Sequence, residues 1–421
     1  MNKSSAVSGF YKLSPQERLR FVREFSKLTD EEAKVLISMQ ALKLDDANRM
    51  IENVIGGITL PFGIATNFQI DGKDYLIPMA IEEPSVVAAA SKAASMTRKK
   101  GGFKTAYTGS IMRAQIQVVK CDVRKASKAI VKSKEEILRK AAGQSPTLTS
   151  LGGGPKDVKT RVLKTPSGSM LIAELYVDCK DAMGANAVNS MAEAVAPIIE
   201  RVTGGTVLLR ILSNLATERL ATATATFAKG ELGGAEIVDG IIQAYHFADY
   251  DQYRGTTHNK GIMNGIIAVA LATGQDTRAL EAAAHSYASM SGRYRSLTSW
   301  KKNRDGDLVG SIKVPIAVGI VGGSASVNPI AKIGLKILGV KSAGELSKVM
   351  ASVGLAQNLA ALRALVGEGI QKGHMKLHAR NIAVSAGAKG TEIDAVARIM
   401  IKEKVVKFAR AKEILEGLGR K

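Results

Sequence analysis

The alternation of apolar and polar positions predicts a mixture of helices and strands. Behind Ser14-Pro15, apolar residues recur at helical spacing, since serine caps helices and proline suits their first turn. Residues 64–70 and 73–79 alternate on either side of Asp71-Gly72, which predicts a β-hairpin. A helix is predicted over residues 86–98, with Pro84 in its first turn and Glu83 as its cap.

The middle of the chain has a different pattern. Residues 110–215 predict strands and helices in the order β-α-β-β-α-β, with one helix over 126–142, which is typical of a ferredoxin-like unit. The predicted class is therefore α+β, with a small domain inserted into a larger, mainly helical one. The predicted boundaries are 1–109 and 216–372 for the large domain, 110–215 for the small domain and 373–421 for a C-terminal unit.

The second half of the large domain returns to helical periodicity. Residues 314–321 predict an apolar strand, and residues 342–352 and 355–365 predict two successive helices. The tail is predicted to be helical with possible hinges at Gly387 and Gly390, either as a mobile lid or as a docked terminal unit.

Composition narrows the class of protein. The chain has 421 residues, 46% of them apolar, and no apolar run reaches the length of a membrane span, so we expect a soluble cytoplasmic protein. Two cysteines, Cys121 and Cys179, exclude a disulfide framework and a cysteine-based zinc site. Both lie in strand-like apolar runs and are expected to be buried.

A net charge of +21 indicates an anionic partner, either nucleic acid or a polyanionic small molecule such as a nucleotide or CoA. Aromatic residues are 5% of the chain and do not alternate with basic ones, so nucleic acid is the weaker interpretation. A generally basic surface is the plain alternative.

One stretch concentrates polar chemistry in front of an apolar run. Residues 253–265 combine Arg254, Lys260 and two amides between glycines, and Asp276 follows at a position typical of a helix N-cap. A lysine held by an aspartate can stabilise a developing oxyanion. Taken alone, a surface lysine and an ordinary cap explain the same residues.

Two further segments are candidates. Glu83 could donate a proton if burial raised its pKa, and Asp181 to Asn186 open a helix whose N-terminus could receive a phosphate; a simple cap and a plain helix start are the alternatives. The chain has no G-x-G-x-x-G, P-loop, H-E-x-x-H or G-x-S-x-G motif. His374 and His378 are four apart without a third ligand nearby, so no metal site is expected.

Five spaced motifs together carry a resemblance that none carries alone. The chain is similar to the 3-hydroxy-3-methylglutaryl-CoA (HMG-CoA) reductase family, and to its soluble class II branch in particular. The matching segments are Glu52-Asn53-Val54-Ile55-Gly56, Pro78-Met79-Ala80-Ile81-Glu82-Glu83-Pro84-Ser85, Asp181 to Asn186, Thr257-His258-Asn259-Lys260-Gly261 and Gly373-His374-Met375.

The resemblance implies a reaction and an assembly. HMG-CoA and two NAD(P)H would give mevalonate and CoA, or the reverse, in a homodimer or a higher assembly of dimers with active sites at the subunit interface. The small domain would bind the dinucleotide, and the C-terminal unit would be a flap. The implied catalytic set is Glu83 as proton donor, Lys260 at the oxyanion, Asp276 tuning the lysine and His374 protonating the CoA thiolate.

The resemblance also implies binding residues. Substrate contacts fall at Ser85, Asn214, Arg254, Asn264 and Gln357, and cofactor contacts at Asp181, Met183, Gly184 and Asn186. Where the family carries an arginine for the CoA phosphate, this chain has Tyr11, and the neighbouring Lys12 is a possible substitute.

Cofactor preference is predicted from one segment. NADH-specific sites place a carboxylate on the ribose 2′-hydroxyl, whereas residues 144–150 contain no acid and follow Arg139 and Lys140. With Ser145 where an NADH-using relative would carry an aspartate, we expect NADPH to be accepted and preferred, with NADH still usable. Two alternatives stay open: a non-redox CoA enzyme, and a basic nucleic-acid-binding protein tested by its salt dependence.

Overall fold

Two β-sheets with helices packed around them form the protein. The computed structural model describes residues 4–367 and 370–418, and for residues 324, 325 and 370–377 it describes the backbone alone. The strands are β1 Phe62–Ile70, β2 Lys73–Ala80, β3 Phe103–Tyr107, β4 Ile111–Val119, β5 Gly154–Thr165, β6 Gly168–Asp178, β7 Thr206–Ser213, β8 Leu220–Phe227, β9 Thr298–Lys302 and β10 Leu308–Pro315.

The helices account for most of the remaining described chain. Short 3₁₀ turns at Phe10–Lys12 and Arg98–Lys100 accompany them. The α-helices are α1 Pro15–Ser26, α2 Asp30–Ser38, α3 Leu44–Asn48, α4 Val86–Thr97, α5 Val123–Lys132, α6 Lys134–Ala142, α7 Pro146–Ser150, α8 Ala185–Thr203, α9 Lys229–Leu232, α10 Ala235–Tyr250, α11 Gln252–Ala272, α12 Thr277–Ala288, α13 Gly323–Val327, α14 Pro329–Leu338, α15 Ala343–Val366, α16 Ile370–Ser385, α17 Thr391–Glu403 and α18 Phe408–Leu418.

The small sheet has the predicted ferredoxin-like connectivity. Its strand order is β5-β6-β4-β7, and β6 pairs antiparallel with both β5 and β4. Helices α5, α6 and α8 cover one face of this sheet, and their buried residues form a core of their own. The prediction of a single helix over 126–142 is wrong in one respect, because the helix is interrupted at Ser133 and a second helix begins at Lys134.

The large sheet is built from distant parts of the chain. Its order is β2-β1-β3-β8-β10-β9, and it includes the predicted hairpin of β1 and β2. The strand predicted over 314–321 is only partly correct, because β10 ends at Pro315 and residues 316–318 are buried without belonging to a strand. Against this sheet pack α4, α11 and α15, which carry much of the largest core.

Helix α15 corrects two predictions. It is one continuous helix rather than two, and Gly354 in its middle allows α11 to approach, since a β-carbon there would lie 3.0 Å from Ile266. Contrary to the expectation of no such run, α15 is also long and apolar enough to cross a membrane. Because 67% of its apolar window is buried inside the fold, we interpret α15 as a core helix.

The two ends of the described chain form smaller units. At the start, Ser14 and Glu17 make the reciprocal bonds of a capping box, which explains why α1 begins at Pro15. At the end, α16, α17 and α18 bury a separate apolar cluster that includes Ala379, Val396 and Met400. Gly387 and Gly390 both have positive φ in the turn between α16 and α17.

Candidate active site

A carboxylate, an ammonium group and an amide meet between α11 and the segment that follows β2. Glu83 Oε2 accepts a hydrogen bond from Lys260 Nζ at 2.7 Å and another from Asn264 Nδ2 at 3.1 Å. Lys260 and Asn264 are four residues apart on one helix, so they project from the same face. The structure thus brings together Glu83 and Lys260, which the sequence analysis took from separate segments, and Asn264, which the family resemblance implied.

The segment that carries Glu83 differs from its prediction. The N-cap of α4 is Ser85 rather than Glu83, and Pro84 precedes the cap instead of opening the helix. Ser85 has φ of 73°, a left-handed conformation that is unfavourable for a serine, and its hydroxyl makes no capping bond. The Glu83 carboxylate is therefore committed to α11 and not to the amide groups of α4.

The polar stretch predicted to stand in front of an apolar element is itself helical. Residues 253–265 form the first two-thirds of α11, and the apolar run continues the same helix. Asp251 caps this helix by accepting from the Arg254 amide at 2.7 Å. A rigid helix whose C-terminal half is buried therefore presents Lys260 and Asn264.

Arg254 and Gln357 both have unused hydrogen-bonding capacity. The Arg254 guanidinium is partly buried, which lowers its pKa, and it has no ion-pair or hydrogen-bond partner in the described part of the chain. Gln357 is 7% exposed, and within the same described residues its Oε1 accepts no hydrogen bond. Gly265 lets Gln357 lie close to α11, since a β-carbon at Gly265 would lie 3.1 Å from Gln357 Cβ. These groups suit an anionic ligand that also carries a hydroxyl donor.

Asp276 does not join the other residues within one chain. It is the N-cap of α12, as predicted, and its Oδ1 accepts from the Ala279 amide at 3.0 Å. From Lys260 to Ala272 the chain climbs twelve residues of α11, which at 1.5 Å per residue separates the two ends by about 18 Å. Neither an ion pair nor a hydrogen bond joins Asp276 to Lys260 in the described structure.

The histidine assignment falls partly outside the described structure. His374 lies in α16, but its side chain belongs to the residues that the structure does not describe. His378 is exposed on the same helix.

The predicted cofactor loop leads into α8. Gly184 is the N-cap with φ of 101°, and a β-carbon there would collide with Cys179 Sγ, so glycine is required. No side chain caps this helix, which leaves its first amide groups available to an anion. Met183 is half-buried, Asn186 is exposed, and the Asp181 carboxylate accepts from the Ala343 amide at 2.8 Å.

The remaining predicted binding residues lie at the edges of the small sheet. Asn214 is exposed just after β7, and Ser145 is the N-cap of the short helix α7. Asp157 is the first acid that follows Ser145 in the sequence. Its carboxylate is held by Lys134 at 2.5 Å and by the Val158 amide at 2.8 Å.

Metal ligands and reactive thiols are absent from the site as described. Among the side chains that the structure describes, no three or more of His, Cys, Asp or Glu come together as a metal site. Cys179 is buried and Cys121 is half-buried, each just past a strand end rather than inside a strand as predicted. Burial raises the pKa of Cys179 to about 11, so this thiol is not activated as a nucleophile.

Comparison with known proteins identifies the family of this chain. Residues 14–379 match the family described as hydroxymethylglutaryl-coenzyme A reductase. The chain is 60% identical to 3-hydroxy-3-methylglutaryl-coenzyme A reductase of Archaeoglobus fulgidus, over 99% of this chain and 95% of that protein. The chain belongs to the hydroxymethylglutaryl-coenzyme A reductase family.

Other reductases support the same conclusion for sequence and fold. A probable HMG-CoA reductase of Borreliella burgdorferi is 39% identical, over 91% of this chain and 89% of that protein. The HMG-CoA reductase structure from Streptococcus pneumoniae superposes with a TM-score of 0.84 at 38% identity, covering 98% of this chain and 99% of that one. A class II structure from the same organism, bound to NADPH in open conformations, gives a TM-score of 0.82 at 38% identity over 96% and 100% of the two chains.

Membership of the HMG-CoA reductase family settles the class of activity. The protein is an oxidoreductase, an HMG-CoA reductase of the mevalonate pathway with an α+β fold. The two alternatives, a non-redox CoA enzyme and a nucleic-acid-binding protein, are set aside.

Two neighbours of Lys260 in the reductase motif have a supporting role that the sequence analysis missed. His258 is 2% exposed, and its Nε2 lies 2.8 Å from Ser296 Oγ and 3.1 Å from Thr298 Oγ1. Burial, together with the charge of Arg254, lowers the pKa of His258 to about 3, so its imidazole is neutral. Asn259 is fully buried and bonds the backbone of Arg295 and Leu297. Both side chains hold the orientation of α11 and therefore of Lys260.

A third missed residue is Arg219. Its side chain is fully buried, yet its hydrogen bonds go to backbone carbonyls and a tyrosine hydroxyl rather than to an acid. Its neighbours in sequence give no signal that the side chain would be buried, because it stands between Glu218 and the first residue of β8.

Proposed function

We propose that the protein reduces HMG-CoA to mevalonate and CoA in two steps, with Lys260 and Glu83 at the reacting carbonyl. The observation that carries this proposal is the contact of 2.7 Å between Lys260 Nζ and Glu83 Oε2. The two groups are 177 residues apart in sequence, and the fold brings them together beside Asn264. An ammonium group and a carboxyl group at one point are what a carbonyl reduction needs to stabilise an oxyanion and protonate it.

The first step converts the thioester into an aldehyde. A bound reduced nicotinamide supplies one hydride in each step. When the thioester carbon accepts that hydride, its oxygen becomes negative, and Lys260 donates a hydrogen bond to it. The carbon–sulfur bond then breaks, and the electron pair leaves with the CoA sulfur as a thiolate. The pKa of such a thiolate is near ~8.5, so an imidazole can protonate it at neutral pH, and we assign this role to His374.

The second step converts mevaldehyde into mevalonate. The aldehyde carbon takes the second hydride, and its oxygen again becomes negative beside Lys260. Glu83 delivers the proton that turns this oxygen into the primary hydroxyl of the product. Since Oε2 of Glu83 already accepts from Lys260 and Asn264, the carboxyl group is oriented before the substrate arrives.

Binding of the HMG group is assigned to the unused polar groups beside α11. Arg254 would bind the free carboxylate of HMG, because a partly buried guanidinium with no acid partner among the described residues is suited to an anion. Gln357 Oε1 would accept from the tertiary hydroxyl of HMG, which would satisfy that buried oxygen. Ser85, Asn214 and Asn264 complete the proposed substrate contacts.

A large groove gives the CoA arm a place next to Glu83. The groove has a volume of about 1110 Å³, and its lining includes Val87, Ser91 and Lys92 on α4, the helix that begins just after Glu83. Tyr11 and Arg18 also line it. Lys92 is exposed, and Lys12 lies beside Tyr11, so basic groups are available for the CoA phosphates although Tyr11 itself carries no charge.

The dinucleotide is assigned to the ferredoxin-like unit. The uncapped N-terminus of α8 and the glycine required at position 184 suit a pyrophosphate, and Asp181, Met183 and Asn186 border this place. We propose NADPH as the preferred cofactor, with NADH usable. The absence of an acid in residues 144–150 supports this preference, as does the engagement of Asp157 with Lys134. On this basis residues 110–215 are the cofactor domain, residues 1–109 and 216–372 the substrate domain, and residues 373–421 the flap.

Asp276 is assigned to the active site of a second copy of the chain. Because Asp276 makes no ion pair or hydrogen bond with Lys260 of its own chain in the described structure, we assign it to a site shared between two subunits. The exposed aromatic residues Phe247, Tyr250 and Tyr253 cluster where α10 meets α11, and such an apolar surface is typical of a subunit interface. We therefore propose a homodimer, or a higher assembly of dimers, in the cytoplasm.

A mixing experiment tests the shared site. Lys260→Ala and Asp276→Ala homodimers should each be inactive. Coexpressed at equal levels, half of the dimers would be hybrids with one intact site of two, so we expect roughly 25% of wild-type activity for a symmetric dimer. A hybrid as inactive as its parents would contradict the shared site.

A direct assay tests the activity itself. Loss of reduced-nicotinamide absorbance should require HMG-CoA, proceed with two equivalents of NADPH per mevalonate, and be slower with NADH. Acetyl-CoA is the matched control, since it carries the thioester without the carboxylate that Arg254 would bind. Equal turnover of both thioesters would contradict the assignment of Arg254.

A further inference from the structure

A buried arginine joins the two sheets at the loop that precedes α8. Arg219 stands immediately before β8, where the chain returns from the small sheet to the large one. Its side chain is fully buried, and no carboxylate within the described residues pairs with it. Burying an unpaired guanidinium is costly, so its hydrogen bonds have to be well made.

All of those bonds go to neutral oxygens around one loop. Nη1 donates to the carbonyls of Ala182 at 3.2 Å and Met183 at 3.0 Å, and Nη2 donates to Ala182 at 3.2 Å and Val318 at 2.5 Å. Nε donates to Tyr107 Oη at 2.9 Å. The five N–H groups of the guanidinium are therefore in use, and charge-assisted bonds of this kind are stronger than ordinary amide bonds.

The same loop is attached at three further points to residues that follow β10 in the chain. The Asp181 carbonyl accepts from the Ile320 amide at 2.9 Å, and its carboxylate accepts from the Ala343 amide at 2.8 Å. Gly319 lies against the loop backbone, because a β-carbon there would come within 2.6 Å of the Met183 nitrogen. Loop 181–184 connects β6 of the small sheet to α8, yet it is held by residues 319, 320 and 343, which lie outside the small sheet and its helices.

Helix α15 connects one of these attachments to the catalytic helix over about 21 Å. Ala343 is the first residue of α15, and Gln357 lies fourteen residues further along the same helix. Gln357 packs against Gly265 of α11, one residue beyond Asn264. A continuous rigid path therefore runs from the loop through α15 to the residues that surround Glu83.

We infer that Arg219 is a positioning residue, which fixes loop 181–184 against the segment after β10 and the start of α15. The inference rests on the proposed function, in which this loop carries the nicotinamide cofactor. Hydride transfer is sensitive to distance, and a displacement of about 1 Å can lower the rate roughly 100-fold. Lysine at position 219 keeps the charge but cannot bridge several carbonyls in the planar geometry of a guanidinium.

The first readout needs neither cofactor nor substrate. In cofactor-free Arg219→Lys, hydrogen–deuterium exchange should be faster in peptides that cover residues 181–188, with exchange in α11 unchanged. Arg113→Lys is the matched control, because Arg113 is also largely buried near this junction but pairs with Glu174 and Glu218 instead of the loop. Exchange at wild-type rates in residues 181–188 of folded Arg219→Lys would overturn the inference.

The second readout follows the hydride. In Arg219→Lys we expect kcat to fall roughly 100-fold, the KM for HMG-CoA to stay nearly constant, and the isotope effect with deuterated NADPH to increase. A lower melting temperature with an unchanged kcat per folded molecule would show a merely structural role and overturn the inference. If wild-type protein failed to oxidise NADPH with HMG-CoA, the proposed function would be wrong. The exchange experiment would still test whether Arg219 holds loop 181–184 in place.

A second variant protects the test against misfolding of Arg219→Lys. Gly319→Ala places a methyl group against the Met183 nitrogen and should displace the loop, with faster exchange and lower kcat. Gly230→Ala is its control, because a β-carbon there meets nothing within 4 Å. Wild-type exchange and kcat in Gly319→Ala would contradict the requirement for a fixed loop.

Discussion

Replacing Lys260 with alanine separates its role in catalysis from its role in the fold. Its side chain is 60% exposed and that of Glu83 is 35% exposed, so the ion pair between them lies in contact with solvent. Exposed pairs of this kind contribute roughly 0–1 kcal/mol to stability. The first expectation is therefore that Lys260→Ala melts within a few degrees of the wild-type protein.

The effect on turnover should be far larger. A positioned donor at an oxyanion contributes roughly 3 kcal/mol or more to transition-state stabilisation, which is a factor of at least ~100 in kcat. Both reduction steps create an oxyanion, so HMG-CoA and mevaldehyde should be affected alike. Removal of Lys260 also leaves the Glu83 carboxylate with Asn264 as its remaining donor among the described residues, which adds to the loss.

The assay is steady-state oxidation of NADPH, first with HMG-CoA and then with mevaldehyde, combined with thermal melting. Lys336→Ala is a matched control, because Lys336 forms a similar surface pair with Glu32 at 2.6 Å on helices α14 and α2, which carry none of the proposed catalytic residues. It should leave kcat unchanged. Turnover of Lys260→Ala within ~10-fold of wild type would refute the assignment of an oxyanion donor.

Three further predictions follow from the same structure. His374→Gln should slow reduction of HMG-CoA much more than reduction of mevaldehyde, since only the thioester releases a thiolate; the same selective defect in His378→Gln would transfer the role to that residue. Ser145→Asp should shift preference from NADPH toward NADH, measured as the ratio of kcat/KM values, and a strong NADH preference in the wild-type protein would contradict the reasoning. Although burial alone would raise it, the pKa of Asp249 is lowered by hydrogen bonds and charge from Arg295. Its contribution to stability is thus present above the usual aspartate pKa and lost as pH falls through the lowered value; Asp249→Asn should remove that acid dependence in urea titrations, and an unchanged pH profile would exclude it.

Local signals in the sequence determined many elements of this protein. Asp71-Gly72 predicted the hairpin of β1 and β2, and Ser14-Pro15 predicted the start of α1, because turns and caps are closed by bonds between residues a few positions apart. The β-α-β-β-α-β order of residues 110–215 likewise followed from periodicity alone.

Only part of the candidate site could be predicted from local signals in the sequence. Two of the five motifs marked Glu83 and Lys260 as chemical groups, and a predicted helix cap marked Asp276, but the distances among these residues depend on packing between remote segments. The contact between Glu83 and Lys260 requires α11 to lie beside the segment after β2. The structure shows that the polar stretch is helical, so Asp276 follows the end of α11 that is remote from Lys260. The glycines in the stretch gave no indication of this helix in the sequence.

Long-range packing determined the continuity of α15 and the burial of Arg219. Gly354 was compatible with a break between two helices, yet it lies inside α15 because α11 needs a position without a side chain there. The burial of Arg219 has no local signature, since its acceptors come from the loop before α8, the segment after β10 and the end of β3. A polar residue is buried only where the tertiary structure brings enough partners around it, and that condition is not written in any short stretch of sequence.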